Sequence, residues 1–297
     1  MKKNLKLSIV FVFFIAIFLY GIGVGKYKWF PHNIVKKFKN TLLNQVDYRF
    51  DDYQRLIYSS KHKEINCPTQ TDKTGVILVF GQSNSANHAQ YSYQSDELNS
   101  VVNFFNGKCF KAQSPLLGAS GKDGEWISLT ASKLVDNGIY DEVIVISSGI
   151  KGSSISKWAE NNRLNLLLID VINNVKKKYE ITDLIWHQGE TDIKSPHIKI
   201  YQYYFKSLLK SIRNNKIEAP IFISVASLCG PKDNWTYPNN VSKAQIKLVE
   251  IDGVEMGVNT DEKVPLSYRY NLCHFSKLGQ EAAAADLASK ISQYYSK

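Results

Sequence analysis

The stretch Val76-Ile-Leu-Val-Phe-Gly-Gln-Ser-Asn-Ser-Ala-Asn87 decides how this chain is read. Five apolar residues run without a charge into Gly81, Gln82, Ser83 and Asn84. An apolar run bounded by turn residues suits a strand buried on both faces, as in a parallel sheet. Its small, polar end has two readings. It is either an ordinary turn, or the place where a strand holds Ser83 at the mouth of a site.

Working outward, residues 143–146, 184–186 and 221–225 repeat the pattern of short, β-branched runs. Between and after them, 127–134, 164–179, 201–212 and 244–249 carry helical periodicity. A last helix is expected from Ser276, a good N-cap, to Tyr294, with Leu278, Ala282, Leu287 and Ile291 on its buried side. Residues 101–105 and 109–111, joined through Asn106-Gly107, read as an inserted hairpin. Strand–helix alternation predicts an α/β fold, a three-layer α/β/α sandwich with a mainly parallel sheet. In such folds ligands sit at the carboxyl ends of the strands.

Ahead of this domain, expected over 74–297, lie two other segments. Lys2, Lys3 and Lys6 precede an apolar run over 7–25, long enough as a helix to span about 28 Å, close to a bilayer's hydrocarbon thickness. Lysines before the run and none inside it predict a cytoplasmic N-terminus and an exported remainder. Residues 1–25 therefore read as a transmembrane anchor, with a cleaved signal peptide as the alternative. Residues 26–73 read as a stalk, with loose helical spacing at Ile34, Phe38, Leu42 and Val46 and a boundary after Pro68. The net charge of +10 comes from scattered lysines, without the spacing or basic blocks of a nucleic-acid binder. Cys67, Cys109, Cys229 and Cys273 lack metal-ligand spacing, and in an exported chain they suit two disulfides with three possible connectivities.

If Ser83 is a nucleophile, other strands should end in groups that complete its chemistry. Residues 143–146 lead into a Gly/Ser-rich turn containing Gly152, and 184–186 lead into His187-Gln-Gly-Glu-Thr-Asp192. A hydrolytic serine needs a base, a group that orients the base, and donors aimed at the developing oxyanion. Gly152 offers a backbone N–H, Gln188 an amide, and His274, just before the last helix, a base. His187 and His88 read as structural. Trp158, Trp235 and Tyr237 either line a sugar groove or pack and anchor loops.

Four motifs together carry a family resemblance: GQSN at 81–84, KGSSISKW at 151–158, WHQGETD at 186–192 and RYNLCHFSKLGQ at 269–280. Over residues 74–290 the chain resembles the SGNH hydrolases, specifically the sialate O-acetylesterase-like carbohydrate esterases. The resemblance implies Ser83 as nucleophile and His274 as general base and acid. It also implies an oxyanion hole from the Ser83 N–H, the Gly152 N–H and the Gln188 amide, in a flavodoxin-like sandwich without metal or organic cofactor. With it, the preferred disulfides are Cys229–Cys273 and Cys67–Cys109.

One position departs from the family pattern. The residue three before the base is Asn271, where the family usually carries Asp. Either Asn271 orients His274 in a slower or different enzyme, or Asp261 or Asp192 takes the role, or the site is degenerate. The expected function is a membrane-anchored, extracytoplasmic carbohydrate O-acetylesterase acting on an acetylated glycan. The alternatives are a glycan O-acetyltransferase using the same serine, and a catalytically degenerate glycan-binding protein.

Overall fold

The structure is a computed structural model that describes residues 2–27, 30, 47–194, 197–231 and 236–297, with no side chains for 2–13 and 25. They fall into two compact units, Met1–Asp47 and Tyr48–Lys297. In the first unit, Lys2–Tyr27 form a single helix, α1, without an amphipathic face. Among the described residues no helix is long and apolar enough to cross a membrane.

The second unit is built on an eight-stranded sheet. Its strands are β3 (Glu64–Ile65), β4 (Thr74–Gly81), β5 (Val101–Phe105), β6 (Lys108–Lys111), β7 (Glu142–Ser147), β8 (Asp183–His187), β9 (Ile221–Val225) and β10 (Val254–Asn259). They run in the order β10-β9-β8-β4-β7-β5-β6-β3, and all pairs from β10 to β5 are parallel. Every residue of β4 is buried, because helices cover both faces. Val76, Leu78 and Phe80 point toward α3 (Arg163–Val175), α4 (Ile198–Asn214) and α5 (Asn240–Leu248). Ile77 and Val79 point toward α2 (Ile127–Asp136) and, after the short α6 (Thr260–Lys263), α7 (Lys277–Tyr295). This period-2 division of one unbroken apolar run makes β4 the axis of two cores. From β4 the chain builds outward first to one side and then to the other, so β4 ends at a switch point of the sheet.

The expected three-layer α/β architecture is present, as are the Asn106-Gly107 hairpin turn and both preferred disulfides, Cys67–Cys109 and Cys229–Cys273. Several expectations are corrected. The loose helical spacing expected in the 26–73 stalk does not continue through its described part. There, β1 (Tyr48–Phe50) and β2 (Leu56–Ser59) pair as an antiparallel hairpin inside the second unit, and β3 joins the sheet edge beside β6. The rest of that spacing, including Ile34, Phe38, Leu42 and Val46, lies outside the described residues. β10 was not foreseen, since Glu255, Gly257 and Asn259 dilute its apolar pattern.

On α7 the buried stripe is Gly279, Gln280, Ala283, Ala284, Leu287, Ala288 and Ile291, and Leu278 is 56% exposed. Small residues on that stripe let the helix pack closely against its neighbours, which a search for large apolar residues overlooks. Trp158 is fully buried against Phe80 and Trp186 and lines no groove. Trp235 lies outside the described residues, and Tyr237 accepts a hydrogen bond from Asn259 Nδ2.

Gly81 ends β4 with φ +132°, and a Cβ built there meets the His187 carbonyl oxygen at 2.1 Å. Gly81→Ala therefore has to open the β4–β8 contact. We expect a loss of about 2–3 kcal/mol in urea unfolding. An unchanged midpoint would show that this junction tolerates displacement.

Candidate active site

Parallel pairing aligns the ends of three strands, with Val79 opposite Ser147 and Gly81 opposite His187. The loops that follow are laced at this level. Gln82 N donates to His187 O (3.0 Å), Ile150 N to Gly81 O (2.9 Å) and Ser153 Oγ to Gly81 O (3.3 Å). Ser83 opens a 3₁₀ turn, Ser83–Ser85, directly after this junction and is 3% exposed. Its N–H and its Oγ find no hydrogen-bond partner among the described residues, and neither does the Gly152 N–H. Gly152 has φ +64° and open space where a Cβ would stand, so the backbone here can be approached closely.

Gln188 is placed differently from its expected role. Its Nε2 donates to Asp192 Oδ2 (2.6 Å), Ser153 O (2.9 Å) and Gln82 Oε1 (3.2 Å), while its Oε1 accepts from Tyr201 (3.0 Å). Both amide hydrogens are thus committed within the protein. Gln188 braces the loops after β4, β7 and β8, and the uncommitted donors are the N–H groups of Ser83 and Gly152.

His274 comes from the loop before α7, which is fastened on three sides. The Cys229–Cys273 disulfide lies beside it. Buried Arg269 donates to Cys273 O (2.8 Å) and Leu228 O (2.9 Å). Gln90 N donates to Phe275 O (2.9 Å), which joins this loop to the one after Ser83. Asn84 Nδ2 reinforces the junction, donating to Glu190 Oε1 (2.7 Å) and reaching Cys273 O (3.4 Å). His274 Nε2 is buried without a partner, so it is not hydrogen-bonded to Ser83 in this resting geometry. Catalytic contacts in unliganded enzymes are often loose.

Asn271 stands where an orienting group belongs. Its Oδ1 accepts from the His274 backbone N–H (2.8 Å), which leaves Nδ2 facing His274 Nδ1 at 2.9 Å. An amide N–H donates, so Nδ1 has to accept and the ring proton sits on Nε2. That tautomer cannot take a proton from Ser83. A carboxylate would accept from both groups and place the proton on Nδ1. Neither alternative carboxylate substitutes. Asp261 accepts from Ser227 and Leu228, and Asp192 from Gln188 and Ile155 N.

Burial pushes His274 below the ordinary histidine value; Glu190 acts against this, and Lys151 and Arg269 add to it. The His88 ring stacks on His274 with centroids 5.5 Å apart. Burial, then His274 and Lys151, lower His88 to about 4, so it stacks as a neutral ring. Burial pushes Glu190 up, but His187 and Asn84 outweigh it and hold the group as a carboxylate. His187 Nε2 lies 3.3 Å from Glu190 Oε1, at ion-pair distance without hydrogen-bond geometry. Sequence reasoning assigned no role to Asn84, Glu190 or Arg269 and set His88 aside as a loop residue. The first three sit inside the quoted motifs, which was the available signal.

A family model described as carbohydrate esterase, sialic acid-specific acetylesterase, matches residues 73–293. Among curated proteins none matches the sequence. Solved structures share the fold. A protein from Arabidopsis thaliana superposes with TM-score 0.59 at 19% identity, over 75% of this chain and 97% of that one. NanS follows with 0.53 at 14%, over 76% and 98%. XAC1771, a carbohydrate acetylesterase from Xanthomonas citri, gives 0.51 at 16%, over 75% of this chain and 57% of that one.

Asn271→Asp should raise kcat on a small acetyl ester, by about 10²- to 10⁴-fold on the scale of the reverse exchange in a serine protease. With neutral His274 as the base, its lowered pKa would put the acid limb of the rate profile below the ordinary histidine range. A new carboxylate favours the imidazolium, so in the variant that limb moves to higher pH. A variant with unchanged rate and unmoved limb would remove Asn271 from the orienting position.

Proposed function

The chain belongs to the sialic acid-specific acetylesterase family of carbohydrate esterases, and we propose that it is a membrane-anchored, extracytoplasmic enzyme that removes O-acetyl groups from glycans through acyl-Ser83. It is a serine esterase for acetyl esters of carbohydrates. What supports the assignment of residues is one coincidence of geometry. A serine, two uncommitted backbone N–H groups and an unpartnered histidine nitrogen come from loops laced together at one level of the sheet.

In this reading Ser83 Oγ attacks the acetyl carbonyl and its proton passes to His274 Nε2. This requires His274 first to exchange its resting tautomer. The Ser83 and Gly152 N–H groups donate to the tetrahedral oxygen and stabilise its charge. Collapse breaks the ester bond, and His274 returns the proton to the departing sugar oxygen. Water, deprotonated by His274, then attacks acyl-Ser83 and releases acetate. Asn271 favours a second reading. Slow deprotonation of water would lengthen the life of the acyl-enzyme and let a sugar hydroxyl compete as acceptor, which is O-acetyl transfer.

The location rests on other features. Lysines precede the apolar stretch of α1, and Phe14, Phe18 and Leu19 on it are all exposed. Exposed apolar side chains in such number call for a cover, which a lipid bilayer supplies. Two disulfides in the second unit suit an oxidising compartment.

Acetate release from a panel of O-acetylated sugars should disappear with Ser83→Ala. Equal release by both proteins would remove Ser83 as nucleophile, and transfer of acetyl to an added glycan would favour the second reading. The full chain should partition with membranes and resist carbonate extraction, whereas a chain lacking residues 1–25 should not. Ready extraction of the full chain would overturn the anchor.

A further inference from the structure

A cavity of about 400 Å³ opens beside the catalytic loops, with Phe50, Tyr53, Gln54, His88, Ser120 and Lys151 in its lining. Its two sides have different origins. His88 stacks on His274, and Lys151 immediately precedes Gly152, so one side is the edge of the reaction centre. Phe50, Tyr53 and Gln54 belong to the hairpin ahead of residue 73, outside the region matched by the family model.

That hairpin is held in place. Asp51 accepts from Tyr53 N (3.0 Å), Arg55 N (2.9 Å) and Arg55 Nε (2.7 Å), which closes the turn. Leu56 is fully buried, donates to Ala119 O (2.8 Å) and accepts from Gly118 N (2.8 Å). Arg55 bridges Ser120, and Ser120 Oγ in turn accepts from Lys151 N (2.8 Å) and lies 3.2 Å from His88 Nε2. One serine thus connects the hairpin to both residues of the catalytic edge. The Arg163 guanidinium sits 4.5 Å from the centre of the Tyr53 ring and holds it. Phe50, by contrast, is 39% exposed. Lys151 is exposed and has no carboxylate partner among the described residues.

We propose that this hairpin builds a second sugar subsite, in which Phe50 and Tyr53 receive the ring of the residue next to the acetylated one and Lys151 faces an anionic group of the glycan. The proposal rests on the esterase reading above and adds that the preferred substrate is a linked acidic saccharide, not a free monosaccharide. An aromatic platform offers a sugar ring a flat apolar face at little entropic cost, and a lysine supplies the charge that selects an acidic chain. A rigid wall needs no closure on binding, so its contribution is present in ground and transition states alike and appears in KM.

The test compares the full-length protein with Phe50→Ala and Tyr53→Leu on three esters: p-nitrophenyl acetate, O-acetylated sialic acid and an O-acetylated sialyl-oligosaccharide. Both variants should keep the wild-type rate on the first two and show a KM raised about tenfold on the third, with kcat unchanged. Calorimetric titration of the same oligosaccharide into Ser83→Ala protein, with and without Phe50→Ala, reads the subsite without turnover. Affinity should fall about tenfold with Phe50→Ala and fall with added salt. Equal KM and equal affinity with and without the hairpin aromatics would overturn the subsite. Loss of all hydrolysis with the titration difference intact would overturn the esterase reading and leave the subsite standing.

Discussion

The junction at Gly81 is the constraint on which the remaining geometry depends. A strand buried on both faces cannot end in water, so its last polar groups have to be satisfied by neighbouring chain. Here the Gly81 carbonyl accepts from Ile150 N and Ser153 Oγ, and Gln82 N donates to His187 O. These bonds draw the loops after β7 and β8 onto the end of β4. Gln188 completes the knot with an amide that reaches three acceptors. With the Gly81 carbonyl, the Gln82 N–H and the Gln188 amide engaged in this way, the Ser83 and Gly152 N–H groups remain undonated. In the proposed reading these two donors form the oxyanion hole, and the bonds that tie the strand ends together hold the loops that carry them.

The same accounting separates a brace from a catalyst. Gln188 lies in the WHQGETD motif, yet its hydrogens are directed inward. Glu190 is a buried carboxylate near His274, yet it is engaged with Asn84 and His187. Asp192 and Asp261 are likewise consumed by loop N–H groups. Each of these three carboxylates thus has a structural occupation. Among the described residues only Asn271 hydrogen-bonds the imidazole at Nδ1, and it is neutral.

Much of this was legible in the sequence because it depends on local pattern. The apolar run before Gly81 could belong only to a strand covered on both faces, and the polar ends of its neighbours located the site at the carboxyl edge. The illegible parts depend on relations that pattern does not encode. β10 mixes Glu255 and Gly257 into an apolar strand because it pairs along only one side, at the sheet's border. The hairpin at Tyr48–Ser59 is short and polar, and its place is set by contact with the 118–120 loop, distant in sequence. The choice of side by Gln188 and Asn271 depends on which atom of an amide meets which neighbour.

Asn271 changes more than a tautomer. In the proposed reading, proton transfer from Ser83 makes an imidazolium of His274, and its stability depends on the charges around it. Arg269 and Lys151 disfavour that cation, and Glu190 favours it without touching the ring. With a carboxylate at position 271, the cation would gain a contacting counter-charge; with an amide it gains none. The barrier to attack therefore rises, and the same deficit keeps His274 neutral, and thus in the basic form, to lower pH. Rate and acid range are coupled through a single residue: the substitution that slows the chemistry also widens the conditions under which the base is unprotonated. In the proposed reading, a site that keeps the serine, the histidine and two backbone donors but lacks this charge is suited to slow turnover, or to an acyl-enzyme that persists long enough for an acceptor other than water.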